Sequence, residues 1–311
     1  MTVLKEADSK QPNLDALAAL LERSALDGRT RKRLEDEVWA VRAGIQGERE
    51  AAYAINFEYA DREGYIVIHD LRIERPGRAA QIDHLIINRA LDVWVCETKA
   101  FSEGVKIDER GHWYRYGGRF AHGMESPVKQ NERHLAVLRE LFESGEVRLP
   151  RRVVTIKPNL IPAVLISNNA RIDIPKSKRA ASAIDGLDTV IKIEQLVETI
   201  HRSIDERNPV RLIAKVVSPA TILAIGEQLV ALHRPMLPDY ATRFGLPPTP
   251  SSMPAGVETE VPASRDQSCA SCSKPVTPKV AAYSRAHAER FGGRILCFDC
   301  QRSTPRPRPA S

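Results

Sequence analysis

Gln81-Ile82-Asp83-His84-Leu85-Ile86-Ile87-Asn88-Arg89-Ala90-Leu91-Asp92-Val93-Trp94-Val95-Cys96-Glu97-Thr98-Lys99 is the stretch whose reading decides the fold. Residues 81–87 alternate in polarity, residues 93–99 are rich in β-formers, and the five residues between them supply a short turn, so an antiparallel hairpin is expected. Side chains alternate along a strand, which puts Glu97 and Lys99 on one face and His84 on the face opposite Asp83. Two carboxylates beside a lysine at the end of a hairpin suit a metal-assisted phosphodiester hydrolase. Asp83 and Glu97 would hold Mg²⁺, and Lys99 would serve the attacking water or the developing negative charge. His84 reads as packing or a hydrogen-bond anchor, and Cys96, opposite Glu97, as a small buried apolar residue.

Working outward, Tyr65–Ile73 reads as a preceding strand with Pro76-Gly77 as its turn, giving a three-stranded antiparallel core. Before it, helices are expected from Leu14 to Glu22 and from about Thr30 to Asn56, the second interrupted by Gly44 and Gly47 just ahead of Glu48. The basic run Arg31-Lys32-Arg33 reads as a solvated face or a phosphate contact. After Lys99, residues 104–108 and 113–116 alternate like a further hairpin, in which Trp113 and Tyr116 either pack on their own sheet or stack on a base. A loop from Arg119 to Ser126 leads to Pro127, a natural first-turn residue for a helix from Val128 to Phe142. On it Leu135, Leu138, Leu141 and Phe142 form the apolar stripe, while Gln130 and His134 share a face. Residues 161–167 read as a buried strand and 189–193 as another, with helices at 194–206 and 219–233. Between the strands, 168–188 reads as a long surface loop whose Lys176, Lys178 and Arg179 are open to DNA.

The ordered set Gly47-Glu48-Arg49-Glu50, QIDHLII, ETK, Trp113 and Pro127-Val128-Lys129-Gln130-Asn131 resembles the nuclease-related domain family, a branch of the PD-(D/E)XK restriction-endonuclease-like superfamily. The likeness covers roughly Val41 to Leu141. It implies an α/β fold, a restriction-endonuclease-like mixed β-sheet flanked by helices. It also implies that Asp83 and Glu97 are metal ligands, Lys99 the catalytic lysine, Glu48 a supporting acid from the first helix, and Gln130 the polar residue of the helix after the hairpin.

At 311 residues the chain has room for one substantial core and a satellite. A charged fraction of 28% and an apolar fraction of 42% are those of a soluble protein, and no apolar run approaches the roughly 20 residues of a membrane helix. The first residues show no basic segment followed by an apolar stretch, so no secretory signal is read and the cytoplasm is expected. The formal charge of +6 suits a polyanionic partner or mere solubility. From residue 235 to 267 prolines accumulate with serine and threonine, the composition of a stiff linker. Beyond it, Cys269-x-x-Cys272 and Cys297-x-x-Cys300, four of the five cysteines, flank 24 residues, a spacing for structural Zn²⁺ in a small zinc-ribbon-like module. Basic residues around it, Arg285, Arg290 and Arg294 among them, suit nucleic acid, and a protein-docking role stays open.

The expected organisation is a helical lead-in (1–40), a nuclease-like domain (41–208), a helical extension (209–234), a proline-rich linker (235–267), a zinc-binding module (268–302) and a disordered tail (303–311). The expected function is that of a Mg²⁺- or Mn²⁺-dependent deoxyribonuclease whose zinc module aids DNA binding. The rivals are a non-catalytic DNA-binding protein on a nuclease scaffold and an adaptor that docks a protein through its zinc module.

Overall fold

Strand β1 (Val3–Lys5) lies parallel to β2 (Tyr65–Arg75), which pairs antiparallel with β3 (Arg78–Asn88), which in turn pairs antiparallel with β4 (Asp92–Lys99). A second sheet takes up β5 (Gly104–Ile107), β6 (Trp113–Gly117) and β7 (Phe120–Met124). Strand β8 (Asn159–Ile166) returns to the first sheet, parallel to β4. Strand β9 (Arg171–Asp173) joins the second, and β10 (Val190–Lys192) closes the first. The result is a mixed six-stranded sheet, β1-β2-β3-β4-β8-β10, beside a mixed four-stranded one, β7-β6-β5-β9. This computed structural model describes residues 2–23, 26–118, 120–152, 154–206, 216–247, 268–274, 276 and 278–304. They divide into two units, Met1–Pro247 and Pro248–Ser311.

The β3–β4 turn closes because Asn88 replaces missing backbone partners. Its Oδ1 accepts the amides of Ala90 and Asp92 at 2.9 and 3.0 Å, and Leu91 takes a left-handed φ of 57°. Helices cover both faces of the larger sheet. On one side α2 (Gly28–Tyr59), which follows α1 (Gln11–Leu21), buries Ala51, Ile55 and Tyr59 against Val67, Ile86, Trp94 and Cys96. On the other, α3 (Pro127–Ser144) and helix Pro219–Ala231 bury Leu138, Leu141, Ile225 and Leu229 against Leu85, Ile87, Val93 and Val95. Each such fully buried aliphatic side chain contributes about 1.5–3 kcal/mol of transfer free energy.

Several sequence expectations change in the folded chain. Helix α2 is not interrupted at Gly44 and Gly47 but runs through both for 32 residues. The lead-in is not wholly helical, since Val3–Lys5 joins the sheet. The loop read at 119–126 contains β7, and that at 168–188 contains β9 and a short helix, Lys178–Ser182. Trp113 packs with Val105, Ile107 and Val128, so its ring belongs to the core. Lys32 pairs with Asp36 at 2.8 Å, and the Arg33 guanidinium lies 5.1 Å from the Phe244 ring centre. Residues 235–247, read from composition as the start of a linker, hold Tyr240, Ala241 and Phe244 packed on Leu17, Leu20 and Leu34. The rest of that expected linker, 248–267, and the tail from 305 lie outside the described residues.

Candidate active site and metal centre

Three carboxylates fall in one row across neighbouring strands. Asp70 stands opposite Asp83 in the β2–β3 register, in the gap between the pairs His69–His84 and Leu71–Ile82. Asp83 in turn lies one residue past His84–Cys96, the last β3–β4 pair, which places it across from Glu97. There the two strands part, and the Thr98 amide donates to the Asp83 carboxylate at 2.7 Å. Strand β4 meanwhile keeps its pairing with β8 as far as Lys99–Ile166. The backbone at Asp70 adopts φ 53°, a left-handed conformation that aspartate tolerates better than most residues.

Two lysines answer these acids. Lys99 Nζ donates to Glu97 Oε1 at 2.7 Å, and Lys10 Nζ, from the segment before α1, meets Asp70 Oδ2 at 2.8 Å. Helix α2 brings in Glu48. Gly47 makes this approach possible, because a Cβ there would lie 2.7 Å from that of Ala100, at the end of β4. Burial, then the charge of Asp83, pushes the Glu48 carboxyl up to about 7 and that of Glu97 up to about 8. Asp83 is pushed up to about 6 by burial, against the Thr98 amide and Lys99. Burial opposes the charge on Lys99, yet Glu97, Asp83 and Glu48 together outweigh it and the ammonium pKa is raised. Glu48, Asp83, Glu97 and Lys99 thus feel one another's charge.

Glu97 also fits a cation. It is 2% exposed, and its Oε2 has no hydrogen-bond donor. The group facing it, His134 Nδ1 at 3.5 Å, is equally unsatisfied, and burial together with Lys99 pushes that imidazole down to about 4, toward its neutral form. A buried carboxyl whose ionised form its neighbours only half satisfy is what a divalent ion with one or two carboxylate ligands and its own waters would complete.

Of the residues expected at the site, Gln130 stands apart. It is half-buried on α3 and makes no side-chain hydrogen bond among the described residues. The inward face of that helix carries Asn131 and His134 instead. Asn131 donates through Nδ2 to the carbonyls of Val95 at 2.8 Å and Ala163 at 3.2 Å, clamping β4 and β8. That clamp was not read from the sequence, although continuing the apolar stripe two helical turns ahead of Leu138 lands on Asn131. Lys10 and Asp70 were missed as well, for no local pattern joins residues so far apart in the chain. His84 meets His69 Nδ1-to-Nδ1 at 2.8 Å on the α2 side of the sheet, as its alternation required. Cys96 is buried there too, and burial raises its thiol pKa.

In the second unit Cys269, Cys272, Cys297 and Cys300 bring all four sulfurs within 4.8 Å of one another, the only such group of three or more metal-ligand side chains among the described residues. Cys272 and Cys297 stand 3.5 Å apart. A tetrahedral ion with metal–sulfur bonds of about 2.3 Å would separate sulfurs by about 3.8 Å, so the cage can hold a metal ion. The Cys297 amide lowers the Cys269 thiol to about 6, while sulfur contact with Cys297 pushes Cys300 up to about 12. Gln301 ties the second knuckle to the helix Pro278–Ala286, donating to the carbonyls of Val280 and Leu296 and to Ser284 Oγ at 2.9–3.0 Å.

A mixed sheet flanked by helices, parted at a row of acids beside a buried lysine, makes this a mixed α/β protein. Residues 43–161 match the family model of the nuclease-related domain. Glu48, Asp83, Glu97, Lys99 and Gln130 all fall inside the matched segment. Comparison with curated proteins and with solved structures gave no match. Among the described residues no helix is long and apolar enough to cross a membrane.

Proposed function

We propose that this protein is a Mg²⁺-dependent deoxyribonuclease, with Mn²⁺ as an alternative ion, and that its four cysteines hold a structural Zn²⁺ in a module that assists binding to DNA. The observation that carries the reading is the Glu97 carboxylate, buried, bonded on one oxygen to Lys99 and left without a donor on the other, with Asp83 across the parted strands. Asp83 and Glu97 would hold the ion, which when bound supplies a Lewis acid for the scissile phosphate and an acidified water.

The chain's own groups then have distinct tasks. The Thr98 amide fixes the direction of the Asp83 carboxylate. Lys99, held at Glu97, places a positive charge where negative charge accumulates on phosphorus. Glu48, with a carboxyl near 7, is suited to take a proton from water close to neutral pH. Gln130, unengaged on the neighbouring helix, is assigned to a substrate phosphate oxygen. We place the nuclease-like domain at 41–208.

The test is an assay of the purified protein against linear, circular and single-stranded DNA with Mg²⁺ or Mn²⁺. The parent is expected to cut, and Asp83→Ala and Lys99→Met to lose activity by at least about 10²-fold while still binding DNA. An Asp83→Ala protein as active as the parent overturns the assignment. DNA binding without ion uptake or cleavage would leave a binding protein on a nuclease scaffold.

A further inference from the structure

A cavity of about 510 Å³ opens between the N-terminal segment and α2, walled by Ser9, Lys10, Leu14, Arg42, Glu48 and Arg49 among others. Its lining includes Glu48 of the candidate site, whose charge is felt by Glu97. The lining also includes three basic residues, Arg42 and Arg49 on α2 and Lys10 from the N-terminal segment. Arg42 and Arg49 are exposed and make no ion pair or hydrogen bond among the described residues. Lys10 is held in place by Asp70, which also accepts the Asp8 amide at 3.1 Å and a hydrogen bond from Gln81.

Two exposed, unpaired guanidinium groups beside a cavity are ready partners for phosphate oxygens, which they meet in a two-pronged geometry that lysine lacks. The volume lies in the range of small-ligand pockets, with room for a nucleotide and none for a duplex. We infer that this cavity takes a nucleotide of a single DNA strand next to the bond to be cut, Arg42 and Arg49 gripping its phosphates while Lys10 offsets the charge of Asp70 and Glu48 on the approach to Asp83. Residues 9–42 of this wall precede the segment that matches the nuclease-related domain, so the N-terminal segment supplies a substrate-binding surface to it. The inference rests on the nuclease reading and names the form of its substrate as a single or frayed strand.

Binding of a fluorescein-labelled single-stranded oligodeoxynucleotide to the full chain, followed by anisotropy in EDTA, tests the pocket without requiring cleavage. The double variant Arg42→Ala/Arg49→Ala is expected to bind about tenfold more weakly, with the slope of log K against log salt reduced by about 0.7 for each phosphate no longer neutralised. In Mg²⁺ its KM should rise with kcat little changed, and Arg42→Lys/Arg49→Lys should recover part of the affinity. Both arginines are exposed, so an unchanged melting temperature is the check on folding. Parent-like affinity and salt slope in the alanine variant, or an equal loss on a blunt hairpin duplex, overturn the inference. The outcomes separate from those of the nuclease reading. A parent that binds in an arginine-dependent way and never cuts sinks the nuclease alone, while a parent that cuts with KM indifferent to both arginines sinks the pocket alone.

Discussion

Glu97 is the residue at which burial and charge conflict most, and the conflict has a measurable sign. Asp83, Glu48 and Glu97 sit at about 6, 7 and 8, whereas in the unfolded chain they titrate near 4. The folded state therefore holds protons that the unfolded state has released, and stability without a divalent ion falls as pH rises from about 4.5 to 8. Glu97→Gln removes the largest part of that penalty. Its melting temperature in EDTA at pH 8 should exceed the parent's by an amount corresponding to on the order of 2 kcal/mol, the gap closing toward pH 5, as scanning calorimetry would show. By the same protons, Mg²⁺ should bind the parent more tightly at pH 8 than at pH 6, with proton release visible in titration calorimetry. Equal affinity at the two pH values would deny that these carboxyls meet the ion. At this scale strand alternation read from the sequence put Glu97 and Lys99 on one face, and in the folded chain they meet at 2.7 Å. It gave no access to Lys10 and Asp70, whose pairing depends on β1 joining the sheet.

At the scale of elements, α2 and α3 carry the site and each shows where sequence patterns are informative. The glycines at 44 and 47 looked alike as helix interruptions, yet only Gly47 faces another chain segment. A side chain at 47 meets Ala100 at 2.7 Å, whereas one at 44 meets nothing within 4 Å. Gly44→Ala should therefore stabilise by about 0.5–1 kcal/mol, and Gly47→Val should destabilise by about 1–3 kcal/mol and displace Glu48, lowering kcat. Urea melts of the pair read this directly, and equal effects would contradict the close approach. On α3 the motif drew the eye to Gln130 while the packing is done by Asn131. Asn131→Ala should cost about 1–3 kcal/mol by stranding the Val95 and Ala163 carbonyls, and Gln130→Ala should leave the melt unchanged while raising KM. Strands β7, Phe120-Ala121-His122-Gly123-Met124, and β9, Arg171-Ile172-Asp173, escaped the sequence because neither is rich in β-branched or aromatic residues.

For the whole molecule, the division at Pro247 and Pro248 separates a sheet-based core from a unit held by four sulfurs around a small apolar cluster of Phe291 and Leu296. A segment with so little to bury would rely on an ion held by those sulfurs for its folding. Stripping metal with a strong chelator, or Cys297→Ser, should abolish protection from protease around 268–304 and leave the melting transition of Met1–Pro247 in place. Loss of both together would mean the units do not fold separately. The cysteine spacing made this unit readable, since ligand geometry leaves few alternatives. The proline-based reading failed at 235–247 because composition weighs Pro235 and Pro238 and ignores Tyr240, Ala241 and Phe244, which are spaced to cover α1.

The separation of β3 from β4 beside Asp83 leaves the Thr98 amide hanging on a carboxylate instead of on the sheet. Such a proton is a built-in gauge. Its isotope exchange with heavy water should be rapid while that acid is free to take up a proton and rotate, and slow once an ion fastens the acid down, so mass spectrometry of the peptide ending at Lys99 would register occupancy without any substrate being present.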